Sequence, residues 1–161
     1  MATITTDGYT FDFPDALDIY EFDSEDATYL HFHGFSEMKA VDIVAEFDQF
    51  YLFVEAKNFF NPIINASIPP KQTLPQDLKY KYRDSYLYQL AHRKVDKPVI
   101  YICLLDNLDA AMMLHLTNML GKTIPDEDHL PNGWLTAFLK TTFVVDKNGW
   151  NSKLNMWGTV R

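Results

Sequence analysis

Val41-Asp42-Ile43-Val44-Ala45-Glu46, then Phe47-Asp48-Gln49, then Phe50-Tyr51-Leu52-Phe53-Val54-Glu55-Ala56-Lys57 is the stretch that decides the fold. Two short runs, rich in β-branched and aromatic residues, flank the polar pair Asp48-Gln49. The pattern predicts strands over 41–46 and 50–57 joined by a tight turn. A hairpin centred between Asp48 and Gln49 pairs Phe47 with Phe50 and, working outward, Asp42 with Glu55. Facing Cβ atoms in such a pair lie about 4.5–5.5 Å apart. Side chains alternate along a strand, so Glu55 and Lys57 share one face. Two carboxylates and an ammonium therefore gather at one end of the hairpin.

Facing carboxylates repel, and a sheet tolerates them only with compensation. A divalent cation supplies it: hard oxygen ligands suit magnesium or manganese, and magnesium binds through one or two carboxylates plus substrate phosphates. Lys57 would then polarise an attacking water or steady a phosphate oxygen, which is the equipment of metal-assisted phosphodiester hydrolysis. The plainer alternative is a surface hairpin in which Lys57 satisfies both acids as an ion-pair cluster.

Val41-Asp42-Ile43, the turn, and Phe53-Val54-Glu55-Ala56-Lys57 together resemble the core of the PD-(D/E)XK nuclease superfamily, over roughly residues 37–106. In that family an Asp opens the second core strand, a (D/E)-x-K closes the third, and a helix and a further strand follow. The resemblance implies a restriction-endonuclease-like fold, with Asp42 and Glu55 as ligands of Mg2+ or Mn2+ and Lys57 as the catalytic lysine. It also implies DNA, with RNA as second choice, as the substrate. Polar residues on the helix after the lysine strand often complete such sites, which makes Gln89 and Arg83 candidates by position. Ala40-Val41 stands where the family name has Pro. Asp18, Glu21 and Glu37 are the candidates for a helical acid preceding the hairpin.

Length and composition frame this reading. The 161 residues, 47% apolar and 15% aromatic, suit a single α/β domain over 1–161 with a mixed central sheet flanked by helices. No apolar run reaches the ~20 residues that span a bilayer, so no membrane association is expected. Met1–Asp7 has neither a basic nor an apolar leader segment, and a cytoplasmic location is expected. Cys103, the one cysteine, lies in the apolar run Ile100–Leu105 and is expected to be a buried structural thiol.

The net charge of −8 argues against strong nonspecific affinity for nucleic acid. The charge is uneven, however. Lys71, Lys79, Lys81, Arg83, Arg93, Lys94 and Lys97 cluster in one segment with Tyr80, Tyr82, Tyr86 and Tyr88 between them. That segment, and Lys79, Lys81 and Arg83 above all, is the candidate nucleic-acid face. An amphipathic helix whose polar face happens to be basic explains the same pattern.

Asp15 caps a short turn or helix over 16–22, and Thr28–His33 forms a strand with His31 and His33 on one face as solvated histidines. Residues 58–76 form a long loop, a possible lid. A helix covers 78–94 with Asp77 as N-cap and Leu87, Leu90 and Ala91 on its apolar stripe. A strand follows over 99–105, then a helix over 108–120 stopped by Gly121, with Met112, Met113 and Met119 as core filling. A helix over 134–140, a strand over 141–145, and a tail whose Trp150 and Trp157 cover the sheet's edge complete it. Three function classes fit: a metal-dependent nuclease, an inactive nuclease-like scaffold for a protein partner, and an acidic immunity or antitoxin-type protein. A homodimer is compatible with each.

Overall fold

The computed structural model describes residues 2–35, 37–59 and 73–161. It is a mixed α/β domain with two sheets. The strands β1 (Ala2–Thr6) and β2 (Tyr9–Phe13) form a hairpin, and β3 (Asp18–Glu21) leads to β4 (Ile43–Glu46) and β5 (Tyr51–Asn58). Helix α1 (Leu74–Ala91) precedes β6 (Val99–Asp106), and α2 (Ala110–Thr123) precedes β7 (Thr141–Val145). Helix α3 (Lys147–Lys153) and β8 (Thr159–Val160) close the chain.

The main sheet has the order β3-β4-β5-β6-β7. Its first three strands are an antiparallel meander, and β5, β6 and β7 are parallel. Both parallel connections carry a helix, and both helices lie on the same face, as right-handed crossovers in one direction require. The expected register holds: Ile43 pairs with Val54 and Val44 with Phe53, and Phe47 N donates to Phe50 O across the two-residue turn.

Strand alternation divides the interior into two cores. Val44, Tyr51, Phe53, Tyr101 and Cys103 face α1 and α2, meeting Leu74, Leu78, Tyr82, Leu116 and Leu120. Ala45, Leu52, Val54, Ala56 and Ile102 face the small sheet β1-β2-β8 and α3, meeting Phe11, Phe13 and Trp150. A strand buried on both faces reads as a continuous apolar run, which is why 50–54 and 99–105 carry no polar alternation. Cys103 is fully buried, as its run predicts.

Several expectations are corrected. Residues 18–21 form β3 rather than a turn or helix, because Ile19 and Tyr20 bury against Ala45 and Val44. Thr28–His33 is turn and coil, not strand. Helix α1 begins four residues earlier than read, with Pro75 in its first turn, where a missing N–H costs nothing. Leu87, Leu90 and Ala91 are exposed; the buried face is Leu78, Lys81, Tyr82, Ser85 and Gln89. Gly121 lies inside α2, which Asp109 caps by accepting from Met112 N. Met112, Met113 and Met119 are half-buried. Residues 134–140 are not helical. Trp150 fills the layer between the two sheets instead of covering an edge, its Nε1 donating to Gly158 O at 3.0 Å. Most of the long loop read over 58–76, Lys71 included, lies outside the described residues.

Candidate functional site

The β4–β5 register continues one step past its last paired residues and sets Asp42 opposite Glu55. Both side chains point to the α1 face, the face of Val44 and Phe53. Asp42 is locked by three contacts. Its Oδ2 accepts from Ala56 N at 2.6 Å, its carbonyl accepts from Phe22 N at 2.8 Å, and the preceding Val41 N donates to Ser85 Oγ at 3.0 Å. Glu55 is fully buried and lies on the first of the parallel strands, three residues from its C-terminal end. Sites in open α/β sheets form beyond the C-terminal ends of parallel strands.

Two lysines converge there. Lys57 Nζ lies 2.7 Å from Glu55 Oε1. Lys81, two turns into α1 from Leu74, projects down onto the sheet with Nζ 3.0 Å from Glu55 Oε2, 3.6 Å from Asp42 Oδ1 and 3.2 Å from Asp23 Oδ2. Neither Glu55 oxygen has a hydrogen bond of regular geometry, so the lysines hold it chiefly by charge. Lys81 was expected on a nucleic-acid face; it is buried in the carboxylate site instead, because the helix turns its 78, 81, 82, 85 stripe inward.

Burial and the Glu55 charge raise the Asp42 carboxyl to a pKa of about 8, against the pull of Lys81, the Ala56 N–H and Lys57. Burial is the largest single influence and lowers the proton affinity of both lysines, but Glu55 and Asp42, joined by Asp23 at Lys81, together outweigh it and both end above the ordinary lysine range. Asp7 joins this electrostatic group from the tip of the β1–β2 hairpin. Its pKa is raised, first by burial and then by Glu55 and Asp23, while Lys57 and Lys81 act against the rise. The hairpin turn is Asp7-Gly8, both at positive φ (48° and 80°), the arrangement that favours Asp-Gly in a two-residue turn. Tyr9 OH donates to Asp106 Oδ2 at 2.8 Å and ties the hairpin to the end of β6. The alternation of Ala2–Thr6 followed by Asp-Gly was the signal for this hairpin, and it escaped the sequence reading.

The other candidates sit elsewhere. Gln89 is two turns along α1 from Lys81, and its Nε2 donates to Tyr20 OH rather than toward Glu55. Lys79 and Arg83 face outward and flank the Tyr80 ring at 4.9 and 4.5 Å from its centroid, and Arg83 pairs with Asp84 at 2.9 Å. Asp18 and Glu21 lie on β3 and Glu37 in an exposed turn, so none is a helical acid; Asp7 and Asp23 are the acids that approach the hairpin. His31 stacks on Tyr20 and His33 packs near Phe22.

Among the described residues no three His, Cys, Asp or Glu side chains form a ready cage for a metal ion. Among them, also, no helix is long and apolar enough to cross a membrane. No family model matches the chain, and neither curated proteins nor solved structures give a significant match.

Proposed function

We propose that the protein is a metal-dependent nuclease that hydrolyses phosphodiester bonds, with DNA the first substrate to test and RNA the second. The observation that carries this reading is the pair Asp42–Glu55: two buried carboxylates, facing across a hairpin, beside two lysines at the C-terminal end of a parallel strand. The order of three antiparallel strands, helix and parallel strand agrees with the PD-(D/E)XK resemblance of the sequence.

The donor set suits magnesium or manganese. Asp42 and Glu55 face each other, with Asp23 reached through Lys81 and Asp7 in the same electrostatic group, and the Asp42 pKa is raised first by burial and then by the Glu55 charge. Asp42 and Glu55 would hold the ion, which would supply Lewis-acid activation of the scissile phosphate. Lys57 is only partly exposed, projects beside Glu55 toward the strand end, and serves to orient the attacking water. Lys81 bridges Asp42 and Glu55 and reaches Asp23 as well, so Asp23 would retain the ammonium if an ion took its place between the two acids.

A second reading rests on that same bridge. Lys81 already neutralises the carboxylates, as in a nuclease-like scaffold that binds a protein partner without catalysis. Cleavage of labelled single- and double-stranded DNA and of RNA, with Mg2+ or Mn2+ and with EDTA, separates the two. Metal-dependent cleavage lost in Lys57→Ala supports the nuclease. Its absence on all substrates, or cleavage that persists in EDTA, overturns it.

A further inference from the structure

Strand β7 ends the main sheet on the side of the parallel strands. Lys140 N donates to Val99 O at 2.8 Å, and the parallel register continues from there to Val145. The backbone groups of Lys140, Thr142 and Val144 are thereby turned toward β6, and those of Thr141, Phe143 and Val145 toward the open edge. Among the described residues nothing bonds to these outward N–H and C=O groups. The chain bounds the open edge at both ends. Asp126 bridges to Leu139 just before it. Just after it, Lys147 N donates to Asp106 Oδ1 and leads the chain back over β6 into α3.

An unpaired edge is a template for another strand, and proteins blunt it with charge, proline or shortness. The opposite edge of this sheet is blunted so: β3 is four residues long and carries Asp18 and Glu21. The β7 edge is not. Thr141-Thr142-Phe143-Val144-Val145 holds no charge, proline or glycine, and all five residues favour strands. Charge stands only at its flanks, Lys140 before it and Asp146 after it. Both flanks belong to the helix face of the sheet, the face of Val144. Lys140 is exposed and has no ion pair among the described residues. Asp146 spends Oδ1 on Gly149 N and keeps its other oxygen free.

We infer that β7 pairs antiparallel with β7 of a second copy, centred on Phe143, so that two chains form a two-fold dimer with one continuous sheet. Outward groups must meet outward groups, and this register satisfies that rule. Phe143 faces its own copy, Thr141 faces Val145 of the second copy, and each such pair exchanges both bonds. The same register sets Lys140 opposite Asp146 of the second copy on both sides of the axis, with Cβ atoms about 4.5–5.5 Å apart. A slip of two residues keeps the bonding parity but loses both ion pairs. A parallel arrangement in register sets Lys140 beside Lys140. The strand and its flanks are thus their own complement, which is the condition for a two-fold interface and the reason the occupant is a second copy. Phe143, which packs on Trp157 at 5.8 Å, adds an aromatic pair at the axis. One strand pairing is small beside the roughly 1,200–2,000 Å2 of a stable interface, so the dimer is weak, in the micromolar range or above.

Sedimentation equilibrium of the full chain, from micromolar to millimolar concentration, tests the pairing. Salt of about 0.15 M screens the net charge of −8 that each copy carries. A monomer–dimer equilibrium is expected. Lys140→Glu should weaken it roughly five- to a hundredfold, since two attractive pairs become repulsive. Thr141→Pro removes an outward N–H and no bond to β6, so it should abolish the dimer and leave urea unfolding of the monomer near wild type. Amide exchange followed by NMR needs no variant. The Thr141 and Phe143 amides should exchange fast in dilute protein and become protected as concentration rises, while Thr142 and Val144 are protected throughout. Asp42→Asn should dimerise as wild type does, because the pairing does not involve the carboxylate site. A chain that stays monomeric at millimolar concentration overturns the inference. So does a dimer equally strong in Lys140→Glu or Thr141→Pro, or one whose Thr141 and Phe143 amides stay unprotected.

Discussion

Lys81 Nζ lies between Asp42 and Glu55, 3.6 Å from Asp42 Oδ1 and 3.0 Å from Glu55 Oε2, in the gap that a bridging cation would fill. The helix thus supplies its own cation to a pair of acids that the hairpin forces together. Removing one partner of a buried ionic cluster costs about 3–5 kcal/mol, because the remaining charges stay desolvated. Lys81→Met should therefore lose stability of that order near neutral pH without metal, measured by urea unfolding. Manganese should restore more stability to Lys81→Met than it adds to wild type, since the ion then replaces the missing ammonium. A variant as stable as wild type would mean that Lys81 does not compensate the buried Glu55 charge.

The Asp42 carboxyl gives a pH signature. Its pKa is about 8 in the folded protein against an ordinary value of 3.8, so between pH 4 and 8 the folded state holds a proton that the unfolded state has lost. Stability from this group is therefore present at low pH and declines as pH rises through that window. Metal-free wild type should lose more stability than Asp42→Asn between pH 5 and pH 8.5, by an amount on the order of a few kcal/mol. Parallel curves for the two proteins would contradict the buried, proton-holding Asp42.

Arg83 is exposed and Lys79 half-buried beside Tyr80, whereas Lys81 is withdrawn into the site. If α1 contacts phosphates, Lys79→Gln with Arg83→Gln should flatten the salt dependence of DNA binding by roughly one to two units of slope. Anisotropy of a labelled oligonucleotide over a salt series reads it. An unchanged slope places the nucleic-acid contact off this face.

Gly158 tests the second core. A Cβ there would lie 2.4 Å from Asp12 O on the neighbouring β2 and 2.8 Å from a Phe13 ring carbon. Backbone cannot yield as a flexible side chain does, so Gly158→Ala should destabilise by about 1–3 kcal/mol or more. Thermal or urea unfolding checks this, with Gly121→Ala as the contrasting control: it meets open space inside α2 and should stabilise by about 0.5–1 kcal/mol.

The hairpin was legible because two local signals agreed: apolar runs of strand length and a polar pair at their midpoint. Together they set the register and with it the Asp42–Glu55 pairing. The helix-borne part of the site was not legible. A sequence pattern assigns Leu87, Leu90 and Ala91 to the core and Lys81 to water. In the folded chain Leu74, Leu78 and Tyr82 form the inward stripe, which carries Lys81 in beside the carboxylates and leaves Leu87 and Leu90 out. Two apolar stripes compete on this helix, and packing on the sheet, which helical periodicity alone does not encode, selects between them. Asp23 and Asp7 were missed for a related reason: they reach the site through the ends of β3 and of the N-terminal hairpin, far from it in sequence. The strand at 18–21 was read as a turn or helix because only its pairing with β4 makes so short a segment extended.

The central claim is that Asp42 and Glu55 hold a divalent cation, and manganese titration read by the electron paramagnetic resonance of the free ion tests it most directly. Wild type at pH 8 should take up Mn2+, and affinity should fall as pH drops and Asp42 becomes protonated. Asp42→Asn and Glu55→Gln should each lose most of that binding while remaining folded. Equal manganese affinity in wild type and both variants would contradict the account.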